Sequence, residues 1–369
     1  MKIAMFTAEF PPYPGGIATY CYELAAAASR LGHDITVFTF GRDPEPRQEF
    51  EVISIRPYFF ETQKFPLASL QMLYHASRRK FDLIFAADMK DMIAASFLPL
   101  RIEKRAAVHG TDVGSRVLTG YLSAFKPYAR YDKIIANSEF TRKHLLKHHK
   151  YIGSDRILVA PLGVDAYWFA QPPASDVQAL NKRFGHLGDR ITLISVGRIE
   201  PRKGQRQAIA AIQTLPEQLR SRITYLIVGR AVEDSYTKLL SREIGSADCD
   251  VRLVGDIPRG ELRALYASAN ILMHTAAADP IRVEGFGLVV LEAAASGLPT
   301  LATRVDALPE VVIDKVSGTL AEDGDIVDIG NKIVQMVNLG DEEREALQGR
   351  CKKFALSYTW DRCAEIALG

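Results

Sequence analysis

The sequence predicts an α/β protein of two doubly wound domains, each a parallel sheet with helices on both faces. Three observations carry this reading. The chain has 369 residues, more than one hydrophobic core usually organises, so two domains are expected. Short apolar runs alternate with segments long enough to hold helices, the pattern of a parallel sheet covered on both sides. The alternation breaks at a polar, proline-bearing stretch, Gln171-Pro-Pro-Ala-Ser-Asp176, and then starts again.

In order along the chain, Lys2 to Thr7 reads as a buried strand. The loop Phe10-Pro-Pro-Tyr-Pro-Gly-Gly16 follows, then a helical pattern from Ile17 to Leu31 that stops at Gly32. Further strands are expected at Asp34 to Phe40, Glu51 to Arg56, Leu83 to Ala87, Ala106 to His109 and Lys133 to Ala136. After the linker they are expected at Ile191 to Val196, Thr224 to Val228, Val251 to Val254, Ile271 to His274 and Thr300 to Thr303, with helices at Leu262 to Ala269 and Gly287 to Ser296. The expected domains are 1–170 and 171–354, with a last helix over 355–369 packing back on the first. Such sheets bind ligands at the carboxyl ends of their strands, so a cleft between the two sets of strand ends is the expected site.

Composition narrows the partners. A net charge of +2 makes no demand for nucleic acid, although residues 1–170 carry +5 and residues 171–369 carry −3. Cys21, Cys249, Cys351 and Cys363 form no Cys-x-x-Cys pair, which argues against a zinc site or a disulfide framework and fits a reducing cytoplasm. The apolar start, Met1 to Ala8, is too brief for a signal peptide, and no run approaches the roughly 20 apolar residues of a membrane span. Any membrane contact is therefore expected to be peripheral.

The most informative segment is Val283-Glu-Gly-Phe-Gly-Leu-Val-Val-Leu-Glu-Ala-Ala-Ala-Ser-Gly-Leu-Pro299. Glycines there let backbone approach a ligand closely, and the free N–H groups near Phe286 to Leu288, at a helix start, suit an anion such as a diphosphate. Glu284 precedes that terminus, and Glu292 lies roughly 7.5 Å along the helix. A carboxylate accepts two hydrogen bonds side by side, so Glu292 can hold a ribose diol and Glu284 sugar hydroxyls. A helix capped by one acid and carrying a second, solvated one explains the segment equally well on its own.

A second feature is Ser195-Val-Gly-Arg-Ile-Glu-Pro-Arg-Lys-Gly204, a strand ending at Gly197 and followed by Arg198 and Lys203. Cations at a strand's carboxyl end can neutralise the phosphates of a nucleotide leaving group, although a solvated basic loop would read the same way. No Gly-x-x-x-x-Gly-Lys-Ser/Thr occurs, so this is not a Walker loop.

Together these segments resemble the retaining nucleotide-sugar glycosyltransferases of the GT-B type, specifically glycosyltransferase family 4, and the resemblance runs nearly the whole chain. A Glu-x7-Glu motif with Phe-Gly-Leu inside it is similar to Glu284 to Glu292, and the family's basic glycine loop is similar to Arg198 through Gly204. The family's Pro-x-Gly-Gly resembles the loop Pro14 to Gly16, and its His-Gly-x-Asp resembles His109-Gly-Thr-Asp112. Ala136-Asn-Ser-Glu-Phe-Thr141 and Pro161-Leu-Gly-Val-Asp165 also look like family segments, but capping and turn roles account for them.

The resemblance implies two Rossmann-like domains facing across a cleft, the first on the acceptor side and the second holding the donor. It implies catalytic roles for His109, Arg198, Lys203 and Glu284. It implies donor binding by Gly15, Gly16, Asp112, Gly197, Gly285, Phe286, Gly287, Leu288 and Glu292. The donor would be a GDP- or UDP-sugar, tipped slightly toward mannose, and the acceptor a glycan or lipid-linked hydroxyl. Front-face attack, with the departing phosphate taking the acceptor's proton, is preferred to a double displacement, since neither glutamate is clearly placed as a nucleophile. Two departures stand out: Arg304-Val-Asp-Ala-Leu-Pro-Glu310 lacks the family's Gly-Gly pair, and Asp279-Pro-Ile-Arg282 adds an acid and a base where sugar selectivity could reside.

No cofactor or metal is expected. Asp248-Cys-Asp250 and Asp323-Gly-Asp325 read as surface turns, and His144 and His148, four apart with His149 adjacent, have no evident third ligand. The stretch 65–81 places Leu67, Leu70, Leu73 and Tyr74 at helical spacing and ends in Arg78, Arg79 and Lys80, with Lys143, Lys147 and Lys150 as a second basic strip. Core packing with cations near a helix end, or contact with an anionic membrane surface, both fit this pattern. A nucleotide-sugar epimerase or a non-enzymatic nucleotide-sugar sensor is the alternative function.

Overall fold

The computed structural model describes residues 1–40, 49–55, 65–114, 120, 123–185, 187 and 190–369. Thirteen strands form two sheets among the described residues, and every pairing between them is parallel. The first sheet holds β1 (Lys2–Thr7), β2 (Asp34–Thr39), β3 (Glu51–Ser54), β4 (Leu83–Ala86), β5 (Glu103–Val108), β6 (Lys133–Ala136) and β7 (Ile157–Val159) in the order β3-β2-β1-β4-β5-β6-β7. The second holds β8 (Ile191–Val196), β9 (Ile223–Val228), β10 (Asp250–Gly255), β11 (Ile271–His274), β12 (Thr300–Thr303) and β13 (Gly318–Ala321) in the order β10-β9-β8-β11-β12-β13. In each, the strand order reverses once, between β1 and β4 and between β8 and β11, which is where open α/β sheets leave a crevice beyond their carboxyl ends.

The chain divides into two compact units: Met1–Gly163, Ile281–Phe286 and Tyr358–Gly369 form the first, and Val164–Pro280 and Gly287–Ser357 the second. Each has its own core. In the first, Phe6, Phe38, Ile84, Val108 and Tyr131 are buried together, with Phe6 and Phe38 stacked at 4.9 Å. In the second, Leu193, Tyr225, Ile227, Met273 and Leu301 are joined by Ile329 and Ile333.

The last helix, Trp360–Leu368, lies against the first one, Gly16–Arg30, within the first unit. Arg30 pairs with Asp361 at 2.6 Å, and Tyr20 meets Trp360 ring to ring at 6.1 Å. Gly163 allows this docking, because a Cβ there would lie 2.2 Å from the Trp360 amide nitrogen.

Several elements differ from the sequence expectation. β5 begins three residues early, at Glu103, because its charged start satisfies itself: the Lys104 ammonium donates to the Leu98 carbonyl at 2.8 Å and the Arg105 guanidinium to the Ala367 carbonyl at 2.9 Å. β7 and β13 were not expected; they are three and four residues long. Arg56, expected in the third strand, lies outside the described residues. Along the helix Phe65–Ser77, Ala68, Met72 and Ala76 face the core, while Leu70 and Tyr74 remain 60% and 53% exposed. Core packing therefore does not explain the apolar spacing of Leu67, Leu70 and Tyr74. Arg79 is ion-paired to Glu51, and the Arg78 guanidinium stacks over the Tyr74 ring at 4.6 Å.

Replacing Gly163 by Ala should force the last helix off its seat at a cost of about 1–3 kcal/mol, the usual range for overpacking. Chemical denaturation of the variant against the parent measures it.

Candidate active site

The sequence-designated residues divide between the units. Gly15, Gly16, His109, Asp112, Glu284, Gly285 and Phe286 belong to the first, and Gly197, Arg198, Lys203, Gly287, Leu288 and Glu292 to the second.

In the first unit the groups gather at the carboxyl ends of β1, β4 and β5. His109 follows β5 directly, and its backbone N–H donates to the Asp112 carboxylate at 3.0 Å, as does Val113 N–H at 3.1 Å. Asp112 thus folds the strand end into a tight turn, and burial raises its carboxyl above the usual range against the opposing pull of His109 and the backbone amides. The His109 Nε2 lies 2.8 Å from the Ala87 carbonyl oxygen. A carbonyl only accepts, so Nε2 carries the proton and Nδ1 is the ring's other nitrogen, the tautomer being fixed by this bond. The Tyr20 ring meets the imidazole edge-on at 4.8 Å.

The loop after β1 is pinned where it leaves the sheet: Ala8 N–H donates to Asp91 at 2.9 Å and to Asp88 at 3.1 Å. Asp88 also caps the helix Met89–Ser96, and burial, then the neighbouring Asp88, holds the Asp91 carboxyl well above the usual range. At the loop's far end Gly15 caps the first helix with φ +153°, and a Cβ on Gly16 would meet no heavy atom within 4 Å among the described residues. Packing therefore makes no demand for glycine at position 16.

The segment Ile281–Phe286 is attached through its backbone at several points. A Cβ on Gly285 would lie 2.0 Å from the His109 carbonyl oxygen, and one on Gly110 2.9 Å from the Gly285 Cα. The Gly285 carbonyl accepts from Ser138 Oγ at 2.8 Å and Thr141 Oγ1 at 3.3 Å, and the Val283 carbonyl accepts from Thr111 Oγ1 at 2.9 Å. Phe286 is buried with its ring 6.1 Å from that of Tyr358. Glu284, also buried, is thereby fixed to the strand end that carries His109. The sequence presents Glu284 to Glu292 as one continuous element, and the structure divides it after Phe286. Ser138 and Thr141, whose segment capping and turn roles also explain, and Thr111, the variable position of the His109–Asp112 motif, are the residues that hold it.

In the second unit, β8 ends at Val196, and a Cβ on the next residue, Gly197, would come within 3.7 Å of Lys203 Cε. The loop turns through Pro201–Lys203 and closes at Gly204, whose φ of +69° and 1.4 Å virtual Cβ distance to the Thr275 carbonyl admit only glycine. It is tied down at three points: Gln205 Nε2 donates to the Arg198 carbonyl at 3.0 Å, Ala277 N–H to the Arg202 carbonyl at 2.8 Å, and Thr275 Oγ1 to the Gly204 carbonyl at 2.8 Å. Arg198 is left 56% exposed along its side chain, and its guanidinium lies 3.2 Å from buried Glu200.

The helix Leu288–Ala295 starts from Gly287, which has φ +88°. One turn in, Glu292 Oε2 accepts from Tyr266 OH at 3.3 Å, with Trp168 edge-on to Tyr266 at 5.5 Å. Arg259, paired with Asp165 and stacked over Tyr167 at 4.2 Å, is close enough to pull on the same carboxyl. Burial nevertheless dominates and pushes the Glu292 carboxyl up to about 7. Of the other acids considered from sequence, Asp250 opens β10 in an ion pair with Arg252 at 2.7 Å, and Asp325 caps the helix Ile326–Val337. His149 Nε2 lies 3.0 Å from the Val113 carbonyl oxygen.

Two all-parallel doubly wound units, each with its groups at the strand switch point, have close structural counterparts. An Anabaena protein, Alr3699/HepE, solved in complex with UDP-glucose, superposes with a TM-score of 0.79 at 20% identity, covering 99% of this chain and 97% of that one. The family model for glycosyl transferases group 1 matches residues 176–354, and that for glycosyltransferase family 4 matches residues 14–167. The chain belongs to the GT-B glycosyltransferases of family 4. Among its relatives are the O-antigen chain mannosyltransferase B of Escherichia coli, 31% identical over 62% of this chain, and the GDP-mannose-dependent alpha-(1-6)-phosphatidylinositol monomannoside mannosyltransferase of Mycolicibacterium smegmatis, 28% identical over 94%. The match spans 58% of the length of the first and 91% of the second.

The Glu292 position has a measurable signature. A carboxyl raised in the folded state binds protons more tightly folded than unfolded, so its stabilising contribution is full below about 4.5 and lost as pH rises through about 7. Glu292→Gln should therefore melt higher than the parent at pH 8, with the difference shrinking toward zero near pH 5 in a thermal-denaturation series.

Proposed function

We propose that this glycosyltransferase moves a hexose, mannose ahead of glucose, from a GDP- or UDP-sugar to a hydroxyl of a glycan or lipid-linked acceptor. The transfer retains anomeric configuration and needs no metal ion. The observation that carries the reading is the loop after β8, which presents Arg198 and Lys203 at a strand switch point on a backbone anchored at three places. Cations carried on so anchored a backbone have less to reorganise when they meet a diphosphate, and preorganisation is what makes leaving-group stabilisation effective. Two of the relatives are named as mannosyltransferases, one of them GDP-mannose-dependent, which supports the preference for mannose.

In the proposed reaction the acceptor oxygen attacks the anomeric carbon from the face the diphosphate leaves. The carbon–oxygen bond to the phosphate breaks as the new glycosidic bond forms, and the acceptor proton passes to the departing phosphate oxygen. Arg198, Lys203 and the first N–H groups of the helix from Leu288 carry the developing charge, with Gly197 and Gly287 giving backbone access. Glu292 takes the ribose diol. Glu284 and the Nδ1 face of His109 take hydroxyls of the transferred sugar, and Gly285 and Phe286 hold Glu284 in place. Asp112 serves through His109, and Gly15 and Gly16 offer backbone to the phosphates.

Among the described residues no helix is long and apolar enough to cross a membrane. The exposed face of the helix Phe65–Ser77, with Leu67, Leu70 and Tyr74 beside Arg78, supports peripheral contact with an anionic cytoplasmic leaflet, where a lipid-linked acceptor would reside.

A thermal-shift screen of GDP, UDP, GDP-mannose and UDP-glucose tests the donor, since a ligand bound only by the native state raises its melting temperature. A clear rise with one base and no added metal is expected, whereas a strict manganese requirement would remove the metal-free site. Arg198→Ala should lower transfer by about a hundredfold or more, measured as release of the nucleoside diphosphate with acceptor present. In sedimentation with phosphatidylglycerol vesicles at low salt, the protein should pellet and Leu70→Asp should not; no pelleting of the parent would sink the membrane contact.

A further inference from the structure

A loop meant to hold a diphosphate gains nothing electrostatically from an acid at its centre, yet Glu200 lies between Arg198 and Lys203 and is 1% exposed. Its Oε1 lies 3.0 Å from the Arg202 guanidinium, itself only 5% exposed, and 3.2 Å from that of Arg198. Its backbone carbonyl accepts from Lys203 N–H at 3.0 Å. One residue therefore touches the Arg198 guanidinium with its side chain and the backbone of Lys203 with its own.

The arrangement solves a problem of like charges. Arg198, Arg202 and Lys203 fall within six residues, and without an intervening anion their side chains would spread apart into solvent. Arg202, buried and fixed at its own carbonyl by Ala277 N–H, supplies the charge that makes a buried carboxylate tolerable. The same carboxylate oxygen then reaches outward to Arg198, which is exposed. A bond to an exposed, long and rotamer-rich side chain restricts where its guanidinium can be when the donor arrives.

We propose that Glu200 is a positioning residue for Arg198, with buried Arg202 as its fixed counter-charge, so that its contribution to transfer passes entirely through Arg198. This rests on the donor assignment above. It makes Glu200 distinct from a residue that merely stabilises the loop, since removing it should matter only while Arg198 is present.

The test is a double-mutant cycle on the full chain, with GDP-mannose and UDP-glucose as donors and nucleoside diphosphate release as the readout. Glu200→Gln should lower kcat by about 10- to 100-fold with donor KM changed by less than about threefold, because the lost interaction is one realised in the transition state. In the Arg198→Ala background the same substitution should change kcat by less than about twofold. Glu200→Asp, which keeps the charge but shortens its reach, should lose kcat at an unchanged melting temperature, and it serves as the second variant should Glu200→Gln fold poorly. Parent-like kcat in both Glu200 variants, or an equal loss with and without Arg198, overturns the proposal. A parent-like rate for Arg198→Ala overturns the donor assignment and this inference with it, so the two failures are told apart.

Discussion

Among the described residues both sheets are wholly parallel, and the placement of the groups at the strand ends depends on that constraint. A parallel strand must be reached by a crossover, so all strands of a sheet finish at one edge and all connecting loops that begin there share it. Where the strand order reverses, two neighbouring loops depart in opposite directions and leave backbone uncovered. Thr7, Ala86 and Val108 end strands at that edge of the first sheet, and Val196 and His274 at that of the second. The residues that follow them, from Ala8 to Gly16, His109 to Asp112 and Gly197 to Gly204, are positioned by a framework whose own hydrogen bonds are already used.

The two units answer the problem of holding a polar segment at such an edge differently. For the segment 281–286 the first uses backbone and neutral hydroxyls, keeping carboxylates for the ends of β1 and β5: the carbonyls of Val283 and Gly285 are taken by Thr111, Ser138 and Thr141, and glycine at 110 and 285 lets main chain meet main chain. The second uses charge. Glu200 binds two arginines, and the carboxyl of Glu292 is held against Tyr266 with Arg259 and Asp165 pulling in opposite senses. Hydroxyl-to-carbonyl bonds are indifferent to pH over the ordinary range, whereas a carboxyl raised to about 7 is not.

Much of this was legible in the sequence because long apolar runs and glycine-bounded helices leave a strong local signal. β1, β6, β8, β11 and β12 fall where expected, and so, within a residue or two, does the helix after Gly287. β7 and β13 left little trace, since three residues, or four with a glycine, are too short for any periodicity to register. The charged start of β5 hid the strand's first three residues, because the Lys104 and Arg105 side chains find carbonyl partners, at Leu98 and at Ala367, that no apolar pattern announces. Glu200 and Arg202 were in view within the basic loop, but nothing local marks one acid as buried. The attachment of Val283 and Gly285 was unreadable for a deeper reason: the acceptors are carbonyls, which every residue has, and the close approach depends on two glycines 175 positions apart.

The path of the chain through residues 281–286 also bears on how such proteins can be recombined. Because the first unit is assembled from three separate stretches of sequence and the second from two, the molecule is not a tandem of interchangeable modules. A chimera cut once, in the linker near residue 171, would carry Glu284, Gly285 and the last helix over with the wrong partner. Gly285 would then face a His109 carbonyl and a Ser138 hydroxyl from a foreign parent. A transplant that respects the architecture exchanges Val164–Pro280 together with Gly287–Ser357 and leaves the six residues between them at home.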